Sequence, residues 1–198
     1  ILTADMDENG RIDFRNGKIY IRASLDGNYI LPVAMHESMH SFRRESPKDY
    51  RLIRNFVVDY LYASGHDVMK MADNVKINYG DRLTTNEDCI EEIVCNSIMA
   101  IAGDESAMHK ALQVAKADEG VLQKLANAIK NLASKIKEFI ITHTTNEAAQ
   151  AFVNDVKALD KLAEMFSNAA DNIKAKSEEV ITNEQKNNTD KGVENVKY

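Results

Sequence analysis

Five residues, His36-Glu37-Ser38-Met39-His40, constrain this chain more than any others. They fall in a segment that reads as helix. On a helix, residues four apart share a face, so His36 and His40 present two imidazoles to one metal ion. Glu37 lies one position after the first imidazole, where it reaches a metal-bound water. A zinc ion held there needs a third protein ligand and leaves a fourth position for water. The rest of the sequence has to supply that ligand.

Before the motif, Arg11–Phe14 and Lys18–Ala23 alternate apolar and polar residues. Asn16-Gly17 between them tolerates the positive φ angles of a tight turn, so the pair reads as a β-hairpin. Asp26-Gly27-Asn28 marks a second turn. The motif helix is expected from near Pro32 to about Arg43, with proline in its first turn. Asp5, Asp7 and Asn9, with Gly10 at the sixth position, have the oxygen spacing of a calcium loop. Position twelve is Asn16, which brings no bidentate carboxylate, and the exiting segment reads as strand, not helix. A polar turn leading into the hairpin is the better reading.

After the motif, helices dominate. Ser46-Pro47-Lys48-Asp49 is a helix start, with serine as N-cap and proline at the first position. Tyr50, Ile53, Phe56, Val57, Tyr60 and Leu61 come next at helical spacing, and Gly65 closes the run. A shorter helix is expected over 67–77, then a turn at Asn78-Tyr79-Gly80-Asp81. A further helix from about Asn86 to Ala102 carries an apolar stripe that includes Ile93, Val94, Ile98 and Ile101. Residues 121–140 and 146–178 each repeat a near-heptad apolar pattern and read as two long helices. They form an antiparallel pair or pack against the first domain. The expected class is therefore α+β, mostly α. A small N-terminal hairpin packs on a helical core over 1–103, a helical extension covers 104–180, and 181–198 is a polar, disordered tail.

Few residues compete to be the third ligand. A histidine six residues after His40, as in one class of zinc peptidases, is absent: Ser46 stands there. His66, His109 and His143 are isolated and read as ordinary surface or core residues. Glu92 is the better candidate. It shares a helix face with Asn96, and a carboxylate beside an apolar stripe needs a partner, for which a metal serves. Glu91 is the fallback, and with the motif set aside both glutamates read as simply solvent-facing.

Hairpin, H-E-x-x-H helix and a downstream glutamate helix (Glu91-Glu92-Ile93-Val94-Cys95-Asn96) together resemble the gluzincin metallopeptidases, in particular their compact minigluzincin forms. Leu31–His40, Ser46–Tyr50 and Glu91–Asn96 resemble, more narrowly, the zincin-like domains embedded in large proteins of bacterial mobile elements and phages. The resemblance covers roughly residues 10–102. It implies that His36, His40 and Glu92 bind zinc and that Glu37 is the general base. It also implies an aspartate one turn after the glutamate ligand, orienting a ligand histidine. Asn96 holds that position here; it accepts the same hydrogen bond without a charge.

Such sites add a tyrosine or histidine that donates to the oxyanion. Tyr79, expected in the loop before the glutamate helix, is the first candidate and His66 the second. The strand Lys18–Ala23 is a candidate sheet edge for aligning an extended polypeptide substrate. Two other readings stay open. One is a non-catalytic interaction domain with a structural or vestigial metal, and the other is a C-terminal helical segment that covers the cleft as an inhibitor.

Composition excludes several classes. A formal net charge of −6, with no basic stripe to offset it, argues against a general nucleic-acid binder. No apolar run approaches the roughly 20 residues of a membrane span. No glycine-rich phosphate loop comes after a strand, and no Cys-x-x-Cys-His occurs. Cys89 and Cys95, the only cysteines, fall on different helix faces. Two cysteines without a framework suit a reducing, cytoplasmic compartment. The start at Ile1 is expected for a domain cut from a longer protein.

Overall fold

The computed structural model describes residues 2–3, 9–13, 15, 18–22, 27–83, 85–115, 119–143, 156–176 and 178. Strand β1 (Leu2–Thr3), strand β2 (Gly10–Asp13) and strand β3 (Lys18–Arg22) form one small sheet in the order β1-β3-β2. Strands β2 and β3 are the expected hairpin: they run antiparallel, with Gly10 opposite Ile21 and Asp13 opposite Lys18. Residues 16 and 17 of its turn, and the aspartates of the calcium-like spacing, lie outside the described residues.

The short β1 pairs parallel with β3. It therefore takes the edge that the sequence reading assigned to Lys18–Ala23. Strand β3 is central, and the open edge belongs to β2. The Arg22 N–H donates to the Asn9 carbonyl at 3.0 Å. Antiparallel pairs alternate, so Gly10 and Ile12 turn their own N–H and C=O groups outward, away from β3.

Helix α1 (Gly27–Glu45) starts five residues before the expected Pro32. Gly27 and Asn28 read as a turn because the residues that favour turns also favour helix starts. Pro32 then sits inside the helix, where it forgoes one backbone hydrogen bond. Helix α2 (Pro47–Ala63) starts after Ser46 and buries Tyr50, Ile53, Phe56, Val57 and Leu61, as its spacing predicts. Gly65 takes φ 82° just past its end, a conformation that favours glycine.

Helix α3 (Val68–Tyr79) is capped by Asp67, whose carboxylate accepts from the Met69 and Lys70 N–H groups. It runs through Tyr79, which the sequence placed in a turn. The turn signal belongs to Gly80, at φ 57°, and to the single 3-10 turn Gly80–Arg82. Helix α4 (Asn86–Gly103) starts at Thr85, whose hydroxyl accepts from the Asp88 N–H.

Helix α5 (Glu105–Val114) was not anticipated. Asp104 ends α4 and caps α5 by accepting from the Ala107 N–H at 2.8 Å. Helix α6 (Glu119–His143) and a seventh helix, α7, over residues 156–176 correspond to the two long heptad-like segments. Residues 144–155, the start of the second segment, lie outside the described residues, as does the tail after 178.

The class is α+β, mostly α. One apolar core runs from Ile19 and Ile21 of the sheet through Met39, Ile53 and Ile98 to Leu132 and Phe166. Helix α6 packs on α1 and α2. Helix α7 joins through the Phe166 ring, edge-on to Phe56 of α2 with centroids 5.3 Å apart. Lys137 of α6 pairs with Asp160 of α7 at 2.5 Å. Cys89 and Cys95 are both buried and free. No helix among the described residues is long and apolar enough to cross a membrane.

Candidate metal centre

Helix α1 lies between the sheet and α4, and the site forms where it meets both. The sheet's inner face carries Gly10, Ile12, Ile19 and Ile21, and Ile19 and Ile21 are buried in the core. Met39 and Phe42 hold the far side of α1 in that core. This leaves His36 and His40 facing α4 at the floor of a cleft of about 1020 Å³.

There the two imidazoles meet Glu92. The His36 and His40 Nε2 atoms are 3.1 Å apart. Glu92 Oε2 lies 3.0 Å from His36 Nε2, and its Oε1 lies 3.3 Å from His40 Nε2. Two ligands on a tetrahedral zinc ion stand about 3.3 Å apart, given bonds near 2.0–2.1 Å. The triangle therefore has the dimensions of three corners of a zinc site. His36, His40 and Glu92 form the one group of potential metal ligands that converges in this way among the described residues.

The outer nitrogens settle which atoms face inward. His40 Nδ1 is 2.7 Å from Glu91 Oε1. An ionised carboxylate only accepts, so Nδ1 carries a proton, and in the neutral ring the Nε2 lone pair points at the cluster. His36 Nδ1 is 3.2 Å from Asn96 Oδ1, which accepts in the same sense. The two Nε2 atoms and the Glu92 carboxylate thus converge on one point, where a proton on Nε2 or a metal ion bound by the Nε2 lone pairs relieves their mutual repulsion. The donor set fits zinc: two nitrogens and one oxygen, with the histidines oriented through their far nitrogens.

The two adjacent glutamates are separated by role. Glu92 joins the triangle of candidate ligands. Glu91 lies on the outer side of His40, and its second oxygen forms an ion pair with Arg43. The guanidinium of Arg43 also stands 5.9 Å from the centre of the Tyr50 ring and 3.9 Å from Asp88. The sequence reading missed this arrangement. Its one visible trace was a carboxylate next to the ligand, plus an arginine one turn after His40.

Glu37 is buried, only 8% exposed, beside the triangle. Burial pushes its carboxyl above the usual carboxylate range, against the lowering pull of His40 and His36 and of a hydrogen bond from the Ile12 backbone. That bond uses the outward-facing N–H of β2. Gly10 makes the approach possible: a Cβ there would sit 2.2 Å from Val33 Cγ1 and 3.1 Å from Glu37 Oε1. Burial also raises Glu92, but its bonds to His36 and His40 outweigh this and hold it well below the usual range.

Tyr79 reaches the site from the end of α3, and its hydroxyl donates to Glu92 Oε2 at 3.1 Å. Its pKa is pushed up to about 12, first by burial and then by Glu92, so the phenol keeps its proton. His66 is exposed between α2 and α3 and does not line the cleft; neither does His109. The side chain of His143 lies outside the described residues. No described residue after Asn96 lines the cleft, so the described parts of α6 and α7 do not cover it as the inhibitory reading required.

Comparison with protein-family models, with curated proteins and with solved structures finds no match.

Proposed function

We propose that this chain is a zinc-dependent endopeptidase of the gluzincin type. His36, His40 and Glu92 would be its ligands and Glu37 its general base. The observation that carries this is the convergence of three lone-pair donors about 3 Å apart, with both histidines held from behind. A structural zinc normally takes four protein ligands; three leave a position open to the cleft. The order of hairpin, H-E-x-x-H helix and glutamate helix supports the same reading.

Zinc bound there would lower the pKa of a water molecule and polarise a substrate carbonyl. The chain's own groups do the rest. Glu37, its proton affinity raised by burial, accepts a proton from the attacking water and returns it to the leaving amine. Tyr79, protonated and close, donates to the developing oxyanion once it lets go of Glu92. The open edge of β2 aligns an extended substrate through the outward backbone groups of Gly10. Glu91 supplies on His40 the negative charge that Asn96 lacks on His36.

The test is elemental analysis, then a peptide-library screen. With zinc supplied in excess, about one per chain is expected in wild type and, more weakly held, in Glu91→Ala, with none in Glu92→Ala. Glu37→Gln should keep zinc and lose turnover. Failure of the wild type to take up zinc would sink the proposal. Zinc uptake with no cleavage of any library peptide would leave a metal-bearing interaction domain.

A further inference from the structure

Helix α1 carries both candidate histidines, and Arg43 stands three residues after His40 on the same face. Its guanidinium meets side chains of two other helices. Nη1 forms an ion pair with Glu91 Oε2 and lies 3.9 Å from Asp88 Oδ1, both on α4. The guanidinium also stands 5.9 Å from the centre of the Tyr50 ring on α2, within reach of a cation–π contact. Tyr50 is 3% exposed, so its ring is a fixed platform in the core.

The Glu91 carboxylate is therefore held at both oxygens from one helix. His40 Nδ1 meets Oε1 at 2.7 Å, and Arg43 meets Oε2. Glutamate is among the side chains with most rotamer freedom to lose. One hydrogen bond to a histidine leaves its carboxylate free to turn about that contact. A second contact on the other oxygen fixes the carboxylate plane, and with it the direction in which Oε1 meets the imidazole. Arginine suits this place better than lysine, because its planar group lies against an aromatic ring while its edge meets a carboxylate. Glu91 is 7% exposed, and a carboxylate so buried needs a paired cation.

By charge alone Arg43 works against a metal ion, since a fixed cation beside the centre repels a divalent one. Its contacts work in the opposite direction, because the ring they steady is a candidate ligand. The two effects differ in sign, which makes the residue's role measurable. We infer that Arg43 is a positioning residue. Acting through Glu91, it holds the His40 ring with Nε2 toward the metal position, and the gain in orientation outweighs the repulsion. The inference rests on the zinc-site reading above and adds a residue that acts on the site through another side chain.

The experiment uses the full-length chain, with zinc Kd read by chelator competition at one pH and folding checked by circular dichroism. Arg43→Met keeps aliphatic bulk over Tyr50 and removes the charge. It should weaken zinc binding about fivefold, below the roughly 10- to 100-fold of a group that orients a ligand directly. Arg43→Lys restores a point charge and should return the Kd to within about twofold of wild type. In a Glu91→Gln background Arg43→Met should cause no further weakening, because the two residues act in one chain of contacts. Arg54→Gln removes a different cation, paired with Glu87 one turn before Glu91 on α4, and should leave the Kd unchanged. Tighter or unchanged zinc binding in Arg43→Met would overturn the inference. So would the same loss in the Glu91→Gln background, or an equal loss in Arg54→Gln. Proton magnetic resonance on the metal-free chain separates this inference from the zinc reading. The His40 Nδ1 proton, assigned against His40→Gln, should exchange faster with water in Arg43→Met than in wild type. Unchanged exchange would overturn the inference even where zinc binds. A wild type that takes up no zinc would sink the peptidase reading, and the same proton would still decide whether Arg43 holds Glu91 on His40.

Discussion

Replacing Glu91 by glutamine tests whether a charge behind a ligand histidine reaches the metal. The Glu91 carboxylate is 7% exposed and takes the His40 Nδ1 proton at 2.7 Å, a short, charge-assisted contact. Groups that orient a metal-binding histidine are worth roughly 10- to 100-fold in metal affinity, or about 1.4–2.8 kcal/mol. Glutamine keeps an acceptor oxygen but removes the charge, so Glu91→Gln should weaken zinc binding by about tenfold. Alanine removes both and should approach the hundredfold limit, about 2.8 kcal/mol. Arg43 retains Asp88 at 3.9 Å in either variant, which limits the penalty of an orphaned cation.

Asn96→Ala is the internal comparison. Asn96 is exposed and neutral, and its contact with His36 is longer, at 3.2 Å. Its loss should cost only a few-fold, below the range for a buried, charged orienting group. Zinc Kd values from chelator competition at one pH, with circular dichroism as a check on folding, decide the matter. Wild-type affinity in Glu91→Gln, or a larger loss in Asn96→Ala, would refute the assignment of the orienting charge to Glu91.

Gly10→Ala places a methyl group 2.2 Å from Val33 Cγ1, so it should destabilise by about 1–3 kcal/mol and displace Glu37. Calorimetry on Gly10→Ala with and without Val33→Ala should show much of the loss recovered in the double variant, and simple additivity would argue against the contact. Phe166→Ala removes a fully buried ring packed on Phe56 and should cost about 3–5 kcal/mol. If α7 folds with the core that carries His36, His40 and Glu92, the loss appears as one lowered thermal transition; a separate early transition would divide the chain into independent units. The Glu45–Lys135 pair, 2.9 Å apart and about half exposed, ties α1 to α6. Its hydrogen bond to Lys135 lowers Glu45 and raises Lys135, so the pair stabilises from above the ordinary Glu45 value of 4.5 to beyond the ordinary Lys135 value of 10.5. It is lost as pH falls through the lowered Glu45 value or rises through the raised Lys135 value. Solvent screening keeps it under about 1 kcal/mol, so Glu45→Gln should lower Tm at pH 7 by no more than about 3 °C, and by nothing well below the Glu45 value.

How much of this was legible in the sequence depended on how far apart the cooperating residues lie. The H-E-x-x-H spacing and the hairpin are local, and both read out directly. The buried face of α2 did as well, because its periodicity distinguishes inside from outside. Helix α4 gives no such contrast: Glu91 through Cys95 are five consecutive buried residues, so periodicity could not choose between the two glutamates. Gly10 carried a turn-like signal, whereas its place is fixed by how closely β2 approaches Val33 and Glu37 on another element. Which strand has an open edge turned on β1, two residues long and joined to β3 from outside the hairpin.

The orienting charge shows most clearly why local patterns fell short. Along α1 the histidines advance from 36 to 40, while their outer partners on α4 retreat from Asn96 to Glu91. The two helices therefore run antiparallel where they cross. A partner for the second histidine has to stand about one turn earlier on α4 than the partner for the first. Position 96 serves His36, so the complementary position falls beside Glu92 itself. A search for an acidic residue after the ligand glutamate finds asparagine. Once the crossing direction is known, the acidic residue immediately before it is the place to look, and a carboxylate is there, with Arg43 holding its second oxygen.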